Sequence, residues 1–163
     1  MNPYQTVLDA IWAALEARAS IQELVLRGNR HKYDDGAPPK EGVATADLPE
    51  LRVLPVAGTF SPRVTNKDTE VTKQYSVQVI TGSRDVSQVL ELEFEVFRAM
   101  LALDFDVLEW EGEPFVQNVR LTSATEGDVR VDLNRGISGW VSIMTVEVQM
   151  MFLTEELIKE QQT

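Results

Sequence analysis

Few residues of this 163-residue chain have the types that covalent or metal chemistry needs. His31 is the only histidine, it lies between Arg30 and Lys32, and no Gly-x-Ser-x-Gly nucleophile sequence accompanies it. The chain has no cysteine, which excludes disulfides, thiol nucleophiles and thiolate metal sites. We therefore expect no catalytic residue, no cofactor and no metal site, and place His31 in a solvated basic loop. The protein is not expected to be an enzyme.

The densest run of charge is acidic and covers residues 104–113. Its acids are Asp104, Asp106, Glu109, Glu111 and Glu113. Carboxylates bind hard cations, but the run lacks the glycine and ligand spacing of a helix-loop-helix calcium site. We interpret it as a solvated acidic turn and keep a metal-binding or small-ligand domain as an alternative. Trp110, within the run, either anchors the turn to the core or reaches a partner.

Composition narrows the class of protein. Hydrophobic residues make up 44% and charged residues 25%, which are globular values, so residues 1–163 are expected to form a single domain. The net charge of -11 argues against a general affinity for nucleic acid, because phosphate binding depends on basic side chains. Neither a signal peptide nor an apolar run of about 20 residues is apparent, so we expect no membrane partner.

The hydrophobic pattern predicts helices and strands in mixed order. Predicted helices cover residues 3–19, with Asn2 as N-cap, 20–26 and 85–103; predicted strands cover residues 51–57, 72–81, 115–123, 129–133 and 139–153. Residues 28–48 are predicted to form an exposed loop, residues 134–136 a turn and residues 154–163 a short helical or frayed tail. Pro55 favours an edge position or a bulge for the first strand, and the alternation over 139–153 favours a central position for the last one.

The third predicted helix has a broad apolar stripe. The residues predicted to face the core are Val86, Val89, Leu90, Phe94, Phe97, Met100 and Leu101. Glu91, Glu95 and Arg98 are predicted to lie off that face. The aromatic residues of the apolar stripes, Phe94 and Phe97 among them, are expected in the core.

These elements predict an α+β fold. We expect a mixed or antiparallel sheet of about four to five strands, helices on one face and a long hairpin tip between the first two strands. The second face of the strand over 72–81 carries Gln74 and Gln78, which indicates water or a partner there. The tip carries Arg63 and Lys67, which could steer an acidic neighbour. Arg63, Lys67, Gln74, Gln78 and Trp110 are the candidate interface residues.

The order and lengths of the elements resemble a family of virion proteins. The relevant segments are an amphipathic helix over 4–15, an edge-like strand over 51–56, a long strand over 73–80, a helix over 86–97 and a late strand over 140–148. In this order they resemble the tail terminator, or tail completion, proteins of long-tailed bacteriophages. The resemblance covers nearly the whole chain and involves no invariant motif.

The resemblance implies a structural protein of the virion neck. It implies a homo-oligomeric ring, a hexamer in that family, whose copies can stay monomeric in isolation. The ring caps the tail tube protein, stops its polymerisation and presents a surface to the head connector, and DNA passes through the lumen without specific binding. Assembly would take place in the host cytoplasm. Alternatives of the same kind are a tail tube subunit and a head completion protein.

Overall fold

A computed structural model describes residues 2–33, 43, 47–56, 62–82 and 86–159 of the chain. The α-helices are α1 (Pro3–Glu16), α2 (Ala19–Leu24), α3 (Val86–Ala102) and α4 (Thr154–Lys159), and short 3-10 helices cover Arg27–Asn29 and Phe105–Val107. The strands are β1 (Arg30–Lys32), β2 (Glu50–Pro55), β3 (Arg63–Val64), β4 (Asp68–Thr81), β5 (Glu109–Trp110), β6 (Glu113–Pro114), β7 (Val116–Asp132) and β8 (Ile137–Leu153).

The described strands form one large sheet and one small ribbon. The large sheet has six strands in the order β1-β2-β4-β8-β7, with β3 paired to β4, while β5 and β6 pair only with each other. Every pair in the large sheet is antiparallel except β1 with β2, which is parallel. The α+β fold with a mixed sheet is therefore confirmed, with more strands than the four to five predicted. The central position of β8, between β4 and β7, is also confirmed.

Helices α1 and α3 cover the same face of the sheet. The Tyr75 hydroxyl of β4 donates to the Tyr4 carbonyl of α1 at 2.9 Å, and α3 packs against β4 and β8. The core lies between these layers, and its fully buried members include Ile11, Leu15, Tyr75, Val77, Val146 and Met150. Because β4 and β8 alternate, one face of each is buried here and the other is left for solvent or partners.

The N-terminal helix begins as predicted and ends earlier. The Asn2 side chain accepts hydrogen bonds from the backbone N–H groups of Tyr4 and Gln5, which caps α1. The prediction that the helix runs to residue 19 is wrong, because it ends at Glu16 and the chain turns there. Arg18 then has an extended backbone, and α2 follows it.

The segment predicted as an exposed loop, residues 28–48, is partly built into the fold. Residues 30–32 form β1 on β2, and Val43 is buried and donates its N–H to the Val131 carbonyl at 2.6 Å. An exposed loop is therefore wrong for these residues, while residues 34–42 and 44–46 lie outside the described part. The edge position predicted for β2 is wrong for residues 51–53, which pair with β1, whereas Pro55 has a partner strand only on the β4 side among the described residues. Pro55 lies beyond the β1 pairing, where its missing N–H removes no bond from β1.

The late strands form one long hairpin. Residues 115–123 and 129–133 were predicted as separate strands, but β7 is continuous and absorbs the break through register shifts against β8. The predicted turn at 134–136 is confirmed, with the Asp132 carboxylate accepting from the N–H groups of Asn134 and Arg135. Gly139 lies against β4, and a Cβ there would come 1.8 Å from the Thr81 carbonyl oxygen. Only glycine allows this approach of the two strands.

Helix α3 exposes the apolar face that was predicted to be buried. The buried residues of α3 are Val89, Leu92, Glu95, Val96, Ala99 and Met100. Leu90, Phe94, Phe97 and Leu101 are exposed instead, so the prediction for these four residues is wrong. Both faces repeat at helical spacing, and periodicity alone does not choose between them. Glu95 is buried, contrary to prediction, because basic and hydroxyl groups surround its carboxylate.

Candidate interaction surfaces

The hairpin tip holds two candidate residues, Arg63 and Lys67, both exposed. Arg63 is in β3, and the turn after it is closed by the Asp68 N–H, which donates to Thr65 Oγ1 at 2.9 Å. The start of α4 braces this turn, because the Thr154 N–H donates to the Lys67 carbonyl at 3.0 Å. Two positive side chains are thus presented from a tip that hydrogen bonds hold in place. Residue 57 of the predicted first strand and residues 58–61 of the predicted tip, 58–69, lie outside the described part.

The sheet face opposite the helices holds Gln74 and Gln78. Gln74 Nε2 donates to the Glu147 carboxylate at 3.0 Å, and Gln78 Nε2 donates to Ser76 Oγ at 3.3 Å. A second bond between β4 and β8, of 2.6 Å, joins Gln149 to Glu70. We call this surface the open face. Its amides and carboxylates satisfy one another across β4 and β8, which leaves a flat polar surface.

One corner of the open face is closed by the chain itself. Val43, Ile80 and Val131 form a small second core there, with Val141 packed against it. Nearby on β2, Arg52 pairs with Glu50, and both side chains are buried. The attraction between the two charges offsets the desolvation penalty that each of them carries when it is buried. The small core and the ion pair therefore stabilise this part of the sheet.

The acidic run folds into the β5–β6 ribbon, which Trp110 ties to the core. The Trp110 ring meets Phe152 edge-on with 5.3 Å between centroids, and Phe152 also stacks on Phe115 at 5.7 Å. The sequence left two roles open for Trp110, and this contact supports the anchoring one. The tight ribbon turn places Glu111 at a φ of 52°.

A cleft of about 550 Å³ lies beside this ribbon. Its acidic lining residues are Asp68, Glu111, Glu113 and Glu156. The acids at 104 and 106 are used differently, because Asp104 caps the 3-10 helix after it by accepting from the Asp106 N–H. Among the residues that the structure describes, no group of three or more His, Asp or Glu side chains is placed to hold a metal ion.

His31 lies in β1 rather than in a solvated loop, so that prediction is wrong. Its ring is 6.1 Å from the Tyr33 ring, and it is partly buried. The neighbouring side chains form ion pairs with α1: Arg30 with Glu16 at 3.0 Å and Lys32 with Asp9 at 2.9 Å. These basic residues therefore fasten the helix to the sheet edge.

The surface that sequence reasoning missed is the exposed apolar stripe of α3. We define this α3 stripe as Leu90, Phe94, Phe97 and Leu101, whose side chains are 47%, 57%, 37% and 64% exposed. A groove of about 330 Å³ separates it from β7 and β8, with Ser123 and Met144 on the far wall. The signal was present in the sequence, because α3 is apolar on two faces. Only one of them can point at the sheet.

Glu93 connects α3 to the edge strand along this groove. Its carboxylate accepts hydrogen bonds from the hydroxyls of Ser123 and Thr125, the latter at 3.0 Å. Arg98 lies over the Phe94 ring, 5.9 Å from its centroid, and pairs with Glu95. The groove therefore has an apolar floor on the helix and a polar, fixed wall on β7.

Neither a protein-family model nor a curated protein matches the chain. No helix in the described part is long and apolar enough to cross a membrane.

Proposed function

We propose that this chain is a structural subunit that assembles with copies of itself into a ring at the end of a bacteriophage tail tube. In this role it caps the tube, stops its growth and joins it to the head connector. The phage part of the proposal rests on the resemblance in the order and lengths of the elements. The protein works by assembly and needs no catalytic residue or cofactor.

The observation that carries self-assembly is the α3 stripe beside a sheet with an open face. Monomeric proteins scatter their exposed apolar side chains, whereas two phenylalanines and two leucines on successive helical turns form a continuous patch. Heterologous contacts between such a patch and a different surface of the next copy generate rings when the rotation closes. The α3 stripe supplies the apolar patch of such a contact.

The charge balance fits a ring through which DNA moves. The net charge of -11 repels the phosphate backbone, so a lumen built from these copies lets DNA pass without holding it. The open face, with Glu70 and Glu147 among its amides, is the surface suited to that lumen.

Electron microscopy tests this function. Tail tubes grown from the tube protein of the same genome are mixed with the chain, and further tube protein is then added. A terminator decorates one end and blocks elongation; a tail tube subunit lengthens the tubes instead, and a head completion protein binds heads and ignores tubes. Undecorated tubes that keep growing would refute the proposal.

A second candidate function, binding of a cation or small ligand, is favoured by the acidic cleft beside Trp110. Calorimetric titration with calcium and with magnesium tests it, using Glu111→Gln with Glu113→Gln in the cleft and Asp104→Asn with Asp106→Asn outside it. Heat that disappears only in the cleft variant supports this function. No heat, or heat that both variants keep, removes it.

A further inference from the structure

The two edges of the sheet differ in what they offer a partner. One edge is β7, which among the described residues is paired only with β8, apart from the Val43 bond to Val131 near its end. The opposite edge is formed by β1 and β3. A long edge strand with free backbone groups accepts another strand unless something covers it. The α3 groove lies beside the middle of β7, where Ser123 lines it.

The topology makes these two edges compatible with each other. Strand β7 runs opposite to β8, β8 opposite to β4, β4 opposite to β2, and β1 runs with β2. Strand β1 is therefore antiparallel to β7. The pairing register places Arg30 in the same row as Thr125, and Lys32 in the same row as Ser123. A copy rotated about an axis along the strands brings its β1 edge to β7, antiparallel and with the helix-covered faces aligned.

The charges of the two edges are complementary. On the β1–β3 edge, Arg27, Arg63 and Lys67 are exposed. Glu93 lines the α3 groove and is half-buried, and Glu91 on α3 and Glu126 on β7 are exposed. Arg98, which lies over Phe94, is paired with Glu95, and the groove lining includes neither Arg120 nor Arg130 of β7. Opposite charge on two surfaces speeds their encounter and fixes their register.

The β1 edge also carries an apolar side chain that suits the groove. Leu26 is 67% exposed, in the connection that descends from α2 in the helix layer to β1 in the sheet. It therefore lies on the side of the sheet where α3 lies. In a copy that pairs its β1 with this β7, Leu26 would come next to the α3 stripe.

We propose that the α3 stripe and the β7 edge form the socket for a second copy of this chain, which inserts its β1 edge with Leu26 against Phe94. This inference deepens the proposed self-assembly by naming its contact. The contact is heterologous, since two different surfaces of the same chain meet. It repeats from copy to copy and leaves the open face on one side of the assembly.

Cross-linking between single-cysteine chains tests the contact, because the natural chain has no cysteine. A chain with Leu26→Cys is mixed with a chain with Phe94→Cys and treated with a short bis-maleimide, in concentrated solution and on tail tubes. The matched control replaces Phe94→Cys by Ile143→Cys, which lies on the open face with 38% exposure. We expect the 26–94 heterodimer to exceed the control by about tenfold, as for a specific contact compared with random collision.

A second variant measures the strength of the contact. Phe94→Asp should weaken self-association by about 30-fold, about 2 kcal/mol, because it removes an aromatic anchor and introduces a charge. Ile143→Asp is its control and should leave association unchanged. Both sites are exposed, so circular dichroism should show both variants folded.

The outcomes separate this inference from the proposed function. A 26–94 yield no higher than the control, both in solution and on tubes, overturns the contact, as does undiminished association of Phe94→Asp. If tubes are capped but no 26–94 cross-link forms, the proposed contact is wrong and the terminator function stands. If the 26–94 cross-link forms but tubes are not capped, the contact stands and the terminator function is wrong.

Discussion

The guanidinium of Arg18 donates a hydrogen bond of 2.9 Å to the carboxylate of Glu95, 77 residues further along the chain. Ser20 donates to the same oxygen at 2.5 Å, and Arg98 donates to the other oxygen at 3.2 Å. These three donors let a carboxylate lie buried between α2 and α3. They fix the rotation of α3 about its axis, because the face that carries Glu95 must point inward.

The first prediction concerns the pH dependence of this cluster. The hydrogen bonds from Ser20 and Arg18 lower the pKa of Glu95 below its usual value. A lowered carboxyl pKa in the folded state stabilises the fold above the unfolded pKa, about 4.3 for Glu, and this stability is lost as the pH falls through the folded pKa. Glu95→Gln should lower the free energy of unfolding by about 2 kcal/mol at neutral pH, since it weakens a buried, charge-assisted cluster.

Urea denaturation between pH 7 and pH 3 measures this effect. The difference between wild type and Glu95→Gln should shrink as the pH drops below about 4.3. Glu91→Gln is the matched control, one turn earlier on the exposed side, and should stay within about 0.5 kcal/mol of wild type. A difference of the same size at pH 3 and pH 7 would show that the Glu95 charge is not involved.

The second prediction tests which face of α3 is buried. Leu92 is 1% exposed and Leu90 is 47% exposed, two positions apart on the same helix. Leu92→Ala should cost about 2–5 kcal/mol of unfolding free energy, because it leaves a cavity in the core. Leu90→Ala should cost less than about 1 kcal/mol, since its side chain already meets solvent. Chemical denaturation of the pair decides the matter, and equal losses would place the helix in a different rotation.

Sequence patterns predicted the order of elements, because period and capping are local properties. Interactions between neighbours along the chain were enough to predict the Asn2 cap, the strands over 72–81 and 139–153 and the turn at 134–136. The face of α3 was missed because the partners of Glu95 come from α2 and the residue before it, far away in sequence. Strand β1 was missed because a three-residue strand of Arg, His and Lys has no hydrophobic period. Its stability comes from β2 and from ion pairs with α1.

The candidate surfaces also divide into those that local sequence patterns predict and those that depend on tertiary contacts. Arg63 and Lys67 are exposed in the braced tip and Gln74 lies on the open face, where alternation and turn residues placed them. The environment of Trp110 depended on a partner 42 positions later, Phe152, and the sequence left its role open. The α3 stripe required knowledge of which of two apolar faces the sheet covers. Tertiary packing determines which face is buried, and helical periodicity alone does not predict it.

The third prediction concerns the contact between Gly139 and β4. A methyl group at 139 would overlap the Thr81 carbonyl, so Gly139→Ala must push β8 away from β4 or distort both strands. We expect a loss of about 2 kcal/mol or more in unfolding free energy, within the range of overpacked cores. Gly28→Ala is the control, since nothing lies within 4 Å of the added carbon there. Thermal denaturation compares the two, and a Gly139→Ala protein as stable as Gly28→Ala would exclude this close approach.

The fourth prediction concerns the charges of the hairpin tip. Arg63 and Lys67 are exposed on the β1–β3 edge, and the chain as a whole carries a net charge of -11, so in the proposed ring each copy would present positive charge to an acidic neighbour. Arg63→Glu with Lys67→Glu should slow ring formation on tail tubes about tenfold or more at low salt, because steering between opposite charges speeds encounter by 10–1000-fold. The loss of rate should shrink at high salt, where exposed charges are screened.

Light scattering of tubes challenged with fresh tube protein measures the rate of capping. The capping rate of Arg63→Gln with Lys67→Gln should fall between those of wild type and the charge-reversed variant. Capping at the wild-type rate by the reversed variant at low salt would show that the tip does not steer assembly.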